Sequence, residues 1–350
     1  MSKVIQGEAG SFYSFLSDGC KLCQQGAKMV LFVTGICKKD CFYCPVSEER
    51  RTDMTYANER KVLSDQDVID EALQMDALGT GITGGEPLLK KERVIHYIRL
   101  LKDNFGQQHH IHMYTSTAPD FNTLKELAEA GLDEIRFHPP EKAWNELEET
   151  GYADSIKFAK ELGIETGIEI PSIAGVEYVG HFVNSVECFL NLNELEFSDT
   201  NSEALKKLGY SLIDDVSNAV AGSERYACEV ANDCKKMHFC SSSYKDAVQL
   251  RKRLIRIAEN TARPFDDIGE EGTIYYGHIE CAENDRDSVY EELIHMEVPA
   301  EMMETKSTGI DLAWWILEDI EEFIKKSGRK LYIIERYPFE DGLIVEKIPL

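Results

Sequence analysis

Cys37-Lys-Lys-Asp-Cys41-Phe-Tyr-Cys44 follows directly on the apolar run Met29-Val-Leu-Phe-Val-Thr-Gly. A nearly unbroken apolar run reads as a strand buried on both faces of a parallel sheet, so the cysteines fall on the loop leaving it. Their spacing, three residues and then two, can put three thiolates around one iron–sulfur cube. A [4Fe–4S] cube normally takes four cysteines. With three, one iron keeps an open position, as a catalytic zinc does. The competing reading is a structural zinc knuckle, which wants a fourth ligand close by. None follows promptly. Tyr43, just before the last cysteine, puts a ring where it can pack on a bound group.

Downstream, Gly79-Thr-Gly-Ile-Thr-Gly84-Gly85-Glu86-Pro87 reads as a strand ending in a glycine turn. Two glycines permit a close backbone approach, and a carboxylate follows at once. Taken together, the cysteine triplet with an aromatic before its third member and the Gly-Gly-Glu-Pro element resemble the radical SAM (S-adenosylmethionine) superfamily. The nearest likeness within it is to pyruvate formate-lyase-activating-like proteins and uncharacterised archaeal members.

That resemblance covers roughly residues 28–200. It implies a [4Fe–4S] cluster on Cys37, Cys41 and Cys44, S-adenosylmethionine as cofactor, and an electron donor such as ferredoxin or flavodoxin. Gly84, Gly85, Glu86 and Pro87 are then expected against the methionyl amino group. Arg136 and Glu169, near the ends of strands four and five, are expected near the cofactor's carboxylate, ribose or adenine. The implied reaction is reductive cleavage of the cofactor to a 5′-deoxyadenosyl radical, which takes hydrogen from a substrate.

Periodicity along the chain supports the same architecture independently. Strands are expected at 29–33, 79–83, 110–115, 134–138, 164–170 and 194–198. Helices lie between them, one opened by Ser64 with Val68, Ile69, Ala72 and Leu73 inward, another over 183–190. The fold class is α/β: a partial (β/α)6 barrel on the triosephosphate-isomerase plan. Alternation puts Arg136 and His138 on one face of strand four, Glu169 on strand five and Glu196 on strand six. Charges there are costly if both faces are packed, so they are expected to line a polar cavity. His110, His112 and Tyr114 share one face of strand three and are candidate lumen residues.

The 350 residues carry a net charge of −25, which opposes broad binding to nucleic acid or an anionic membrane. No stretch is apolar for long enough to span a bilayer, and no secretion signal opens the chain, so a cytoplasmic protein is expected. Ten cysteines in that setting point to metal or redox use rather than disulfides. Cys20 and Cys23 make half a metal site, in an N-terminal arm (residues 1–27) expected to be irregular. A cysteine-rich segment, 201–245, offers Cys234 and Cys240, with Cys228 or His238 as alternates. The two halves are expected to meet as a second [4Fe–4S] or zinc site.

Residues 246–350 form a small α+β extension. It begins with a helix bearing Arg251, Lys252, Arg253 and Arg256, either a solvated face paired with carboxylates or a phosphate grip. A strand at 273–280, a helix marked by Leu312, Trp315, Ile316, Ile320, Phe323 and Ile324, and a hairpin of 330–337 with 343–348 complete it. The substrate expected is a small polar metabolite or a peptide. An RNA-modifying radical enzyme and a non-catalytic metal-binding protein are the alternatives.

Overall fold

A computed structural model describes residues 4–339 and 342–350. Seven strands run parallel in chain order: β1 Lys28–Phe32, β2 Gly79–Thr83, β3 His110–Thr115, β4 Glu134–Phe137, β5 Glu165–Pro171, β6 Phe189–Asn193 and β7 Met237–Cys240. One register line runs Val30, Gly81, His112, Glu134, Glu165 across the first five. The sheet does not close on itself. Phe12–Tyr13 pairs antiparallel with β7, and Tyr56–Ala57 antiparallel with β1, so short strands cap both edges of an open barrel.

Alternation separates the two faces of this sheet. Met29, Leu31, Ile82, Ile111, Met113, Ile135, Phe137, Ile168, Ile170, Leu190 and Leu192 are fully or almost fully buried. Each contributes about 1.5–3 kcal/mol by burial. The intervening residues are polar and face the lumen: His112, Tyr114, Arg136, His138, Glu169, Asn191, Asn193 and His238. The period-two reading of strands three, four and five thus holds.

Several expectations are corrected. Strand six is 189–193, not 194–198. The helix before it is Val176–Ser185, with Val176, Val179, Phe182 and Val183 buried, and the chain reverses at Glu187, whose φ is +56°. Phe189, Leu190 and Leu192 supply the apolar face that Glu194–Ser198 lacks, so Glu196 sits just beyond the strand. Leu73 is exposed, and Glu71 takes the inward place, accepting from the Asn58 side-chain amide at 2.8 Å.

The N-terminal arm is not irregular. Ser17 caps helix α1, Asp18–Gln24, and Phe12–Tyr13 is a strand of the barrel sheet. The cysteine-rich segment supplies β7. Both segments therefore belong to one unit with the barrel, comprising residues 1–73 and 77–250.

The second unit comprises residues 74–76 and 251–350. Its antiparallel sheet contains β8 Ile274–Glu280, β9 Met303–Lys306, β10 Gly309–Leu312, β11 Lys330–Arg336 and β12 Ile344–Pro349, in the order β9, β10, β8, β11, β12. A helix, Trp314–Lys325, packs Leu317 and Ile324 with Ile279, Ile310 and Leu293. Leu312 ends β10 rather than starting this helix. The expected hairpin is present as β11 and β12; residues 340 and 341 of its turn lie outside the described residues.

Candidate active site

The loop leaving β1 carries Cys37, Cys41 and Cys44, and the turn leaving β2 carries Gly84, Gly85 and Pro87. The two are joined by backbone. Val33 donates to Thr83 O at 2.9 Å, Gly85 to Thr34 O at 2.7 Å and Glu86 to Ile36 O at 2.9 Å. A Cβ on Gly85 would stand 2.6 Å from Ile36 O and 2.7 Å from Gly35 O, and one on Gly84 would meet Thr34 O. The glycines thus let the turn lie along the root of the cysteine loop. Asp53 fastens the loop's far side, accepting from Thr34 Oγ1 at 3.0 Å and paired with Lys90 at 2.6 Å and Arg93 at 2.8 Å.

Cys37, Cys41, Cys44, Gly84, Gly85 and Pro87 line a cavity of about 610 Å³ with Tyr43, Thr83, Tyr114, Thr115, Ser116, His138, Glu169 and Asn193. That is the size of an ordinary cofactor pocket. Cys37 is exposed; Cys41 and Cys44 are half-buried. Burial pushes the Cys41 thiol up, and its neighbours Cys44 and Cys37 add to this. Three cysteine sulfurs on one loop, opening on the same cavity, are the donor set an iron–sulfur cube takes, so they fit the [4Fe–4S] group. Among the described residues no three Cys, His, Asp or Glu side chains already stand as a preformed ion site.

Glu86 is 3% exposed and does not line the cavity. Its carboxylate accepts from Leu88 N at 3.1 Å, Thr115 Oγ1 at 2.8 Å, Ser116 N at 2.7 Å and Ser116 Oγ at 2.6 Å. It ties the end of β2 to the end of β3. The Tyr43 hydroxyl meets His138 Nε2 at 3.0 Å, and His138 Nδ1 meets Glu169 O at 2.6 Å. Burial lowers the His138 pKa, favouring the neutral ring.

Deeper in the lumen a second cavity, about 420 Å³, shares Lys28, Tyr114, His138, Glu169 and Asn193 with the first. It adds Arg136, Asn191, Glu196, Lys245, Cys20, Cys23, His238 and Cys240. Arg136 has five N–H donors, and all are engaged: Glu134 at 2.5 Å, Tyr114 at 3.0 Å, Glu169 at 2.7 Å, Ser17 at 3.0 Å and the Cys20 sulfur at 3.5 Å. It presents no donor to a cofactor and acts by holding Glu169. Burial alone would raise the Glu169 pKa; Arg136 and the amides of Asn191 (3.0 Å) and Asn193 (2.9 Å) outweigh it and hold it at about 2. Glu196 lines the cavity as expected, paired with Lys245 at 2.5 Å.

Helix α1 closes this end of the lumen. Gly19 donates to Glu134 at 3.1 Å, and a Cβ there would stand 2.6 Å from both Arg136 and His112. The expected second metal set is only partly assembled. Cys20, Cys23, His238 and Cys240 line one cavity. Cys234, before β7, bonds Lys236 O and neighbours Cys188, while Cys228 lies exposed on the helix Ser223–Val230.

Sequence reading missed Lys28, Asn191, Asn193, Ser116 and Lys245. The pair Asn191 and Asn193 had a signal, polar residues at period two within Phe-Leu-Asn-Leu-Asn. The basic helix shows no phosphate grip at its ends: Arg251 donates to Glu270 O at 2.9 Å and pairs with Glu271, and Arg256 pairs with Asp76 at 2.5 Å. Among the described residues, no helix is long and apolar enough to cross a membrane.

Comparison with known proteins agrees with this geometry. The profile of the radical SAM superfamily matches residues 31–178, and a domain of unknown function, DUF8061, matches residues 272–350. A Methanocaldococcus jannaschii protein, provisionally named a glycyl-radical enzyme activating enzyme, is 40% identical over 354 residues, covering 96% of this chain and 93% of its own. The crystal structure of methylornithine synthase is similar at 13% identity and a TM-score of 0.41 over 60% of this chain and 63% of that one, too distant to bear on function. With a relative this similar over nearly its whole length, and with the cysteine loop and glycine turn bonded at one cavity, the chain belongs to the radical SAM superfamily and is an enzyme.

Proposed function

We propose that Cys37, Cys41 and Cys44 hold a [4Fe–4S] cluster and that the adjoining lumen binds S-adenosylmethionine with a small polar metabolite or the tip of a peptide. The observation that carries this reading is the shared cavity: three cysteines, the glycine turn and the lumen carboxylate Glu169 line one space. When bound, the cluster supplies the electron that cleaves the cofactor to a 5′-deoxyadenosyl radical.

The chain's own residues then have separate tasks. Gly84, Gly85 and Pro87 offer turn backbone to the methionyl end, while buried Glu86 keeps that turn fixed. The Tyr43 ring lies beside the cysteines and is anchored by His138. Glu169, kept ionised by Arg136, is an acceptor for hydroxyl or amino groups in the lumen. Lys28, Asn193 and Lys245 add polar contacts for a substrate. Helix α1 shields the inner end, which limits water near a reactive radical. Reducing equivalents come from a small electron-transfer protein of the ferredoxin or flavodoxin kind.

The name of the M. jannaschii relative favours a peptide glycine of a partner enzyme as the hydrogen donor. The polar, walled lumen favours a small metabolite. An RNA substrate has least support, given the net charge of −25 and the ion pairs at Arg251 and Arg256. Iron-loaded, reduced protein should release 5′-deoxyadenosine, and deuterium transfer from labelled glycyl peptides or metabolites into that product identifies the donor. No 5′-deoxyadenosine above the buffer background would sink the proposal.

A further inference from the structure

Three cysteines inside the lumen have no part in the chemistry proposed above. Cys20 and Cys23 project from α1, and Cys240 ends β7 two residues after His238, so both β7 side chains share the lumen face. All four line the same cavity.

Two observations indicate what they await. First, N–H donors are aimed at the sulfurs: Asn191 Nδ2 at 3.2 Å and Arg136 at 3.5 Å on Cys20, and Gln249 Nε2 at 3.5 Å on Cys240. Neutral thiols are weak acceptors, whereas such donors commonly surround metal-bound thiolates and orient them. Second, His238 is 5% exposed, and its buried Nδ1 has no hydrogen-bond partner. A buried ring nitrogen without a partner is costly unless something occupies it.

We propose that Cys20, Cys23, Cys240 and His238 form a second metal site within the barrel, taking one thiophilic tetrahedral ion of the zinc class. Three thiolates and an imidazole are an ordinary closed zinc set. The charges also suit it, since Arg136 is already matched by Glu134 and Glu169, and Lys245 by Glu196. Neither base is left over to balance metal-bound thiolates, so that charge would fall to the ion itself. The donors are not preassembled at ion-binding distances, so the site requires their side chains on α1 and β7 to turn towards the ion when it binds. The site is independent of Cys37, Cys41 and Cys44.

The test uses the full chain with Cys37, Cys41 and Cys44 all changed to Ala, titrated anaerobically with Co²⁺. One equivalent should bind with the intense sulfur-to-cobalt and visible bands of a tetrahedral thiolate site. Adding Cys20→Ser, Cys23→Ser or Cys240→Ser should abolish them, and His238→Ala should alter the visible bands. Asn191→Ala should weaken binding about 10- to 100-fold. Cys228→Ser and Cys234→Ser should change nothing. In case a buried variant misfolds, alkylation mapped on the parent protein gives a second readout: metal should protect Cys20, Cys23 and Cys240, but not Cys228. No cobalt uptake, bands that survive in Cys20→Ser and Cys240→Ser, loss in Cys228→Ser, or equal alkylation with and without metal would overturn the proposal. None of these outcomes depends on S-adenosylmethionine chemistry.

Discussion

The backbone amide of Gly85 donates to the carbonyl of Thr34 at 2.7 Å, so the glycine turn is fastened to the root of the cysteine loop. Gly85→Ala would force a Cβ to within 2.6 Å of Ile36 O. Overpacking of this kind costs about 1–3 kcal/mol. We expect the variant to fold yet incorporate less iron, although every cysteine is intact. Iron content and cluster absorbance after anaerobic reconstitution provide the check, and normal incorporation would mean the contact is incidental.

Replacing Cys37, Cys41 or Cys44 singly with Ala should reduce 5′-deoxyadenosine release to background. Each thiolate would hold a different iron of the same cube. Product quantified by mass spectrometry after dithionite reduction decides it. Turnover retained in any one variant would contradict the assignment.

Glu86→Ala removes the acceptor for four donors from Leu88, Thr115 and Ser116. The Thr115 hydroxyl is the buried donor among them, and the others are part-buried. A buried donor left unsatisfied costs about 1–3 kcal/mol, so the cofactor-free variant should lose about that much stability. Urea unfolding of wild type and variant without cofactor measures this. Unchanged stability together with weakened cofactor binding would instead make the Glu86 side chain a direct ligand.

Glu169 has a folded pKa of about 2 against an ordinary 4.5. Its folded value is depressed, so its stabilising contribution is fully present above 4.5 and is lost as pH falls towards 2. The contribution is at most ~3 kcal/mol. Wild type should therefore lose stability more steeply than Glu169→Gln between about pH 5 and pH 3. Parallel slopes would show that Arg136 does not hold this carboxylate.

The first five barrel strands were legible because their outward residues, from Met29 to Ile170, form apolar runs at a spacing that few other structures use. Arg136, His138 and Glu169 were legible as lumen residues by the same alternation. Strand six was missed because Asn191 and Asn193 interrupt its hydrophobicity, and those asparagines are there to bind Glu169. Strand seven was missed because Met237–Cys240 is only four residues long and lies far from its neighbour in sequence. The role of Glu86 depends on Thr115 and Ser116, which no local pattern connects to it. Cys234 looked equivalent to Cys240 in sequence, with Cys228 and His238 as alternates; the structure puts Cys240 and His238 on β7 at the cavity, Cys234 before that strand and Cys228 on the helix Ser223–Val230.

The plug formed by α1 also bears on the order of events during synthesis. Ser17 bonds Glu134 across 117 residues, and Tyr13 pairs with His238 near the end of the barrel. At about 5–20 residues per second on a ribosome, Ser17 waits roughly 6–23 seconds for its partner to be made, and Tyr13 about twice as long. Throughout that interval Cys20 and Cys23 lack the later barrel residues, Arg136, Asn191 and His238 among them, that share their cavity in the finished molecule. The two cysteines therefore meet the oxidants and metals around the nascent chain before they meet the Asn191 and Arg136 donors that hold the Cys20 sulfur in the finished molecule.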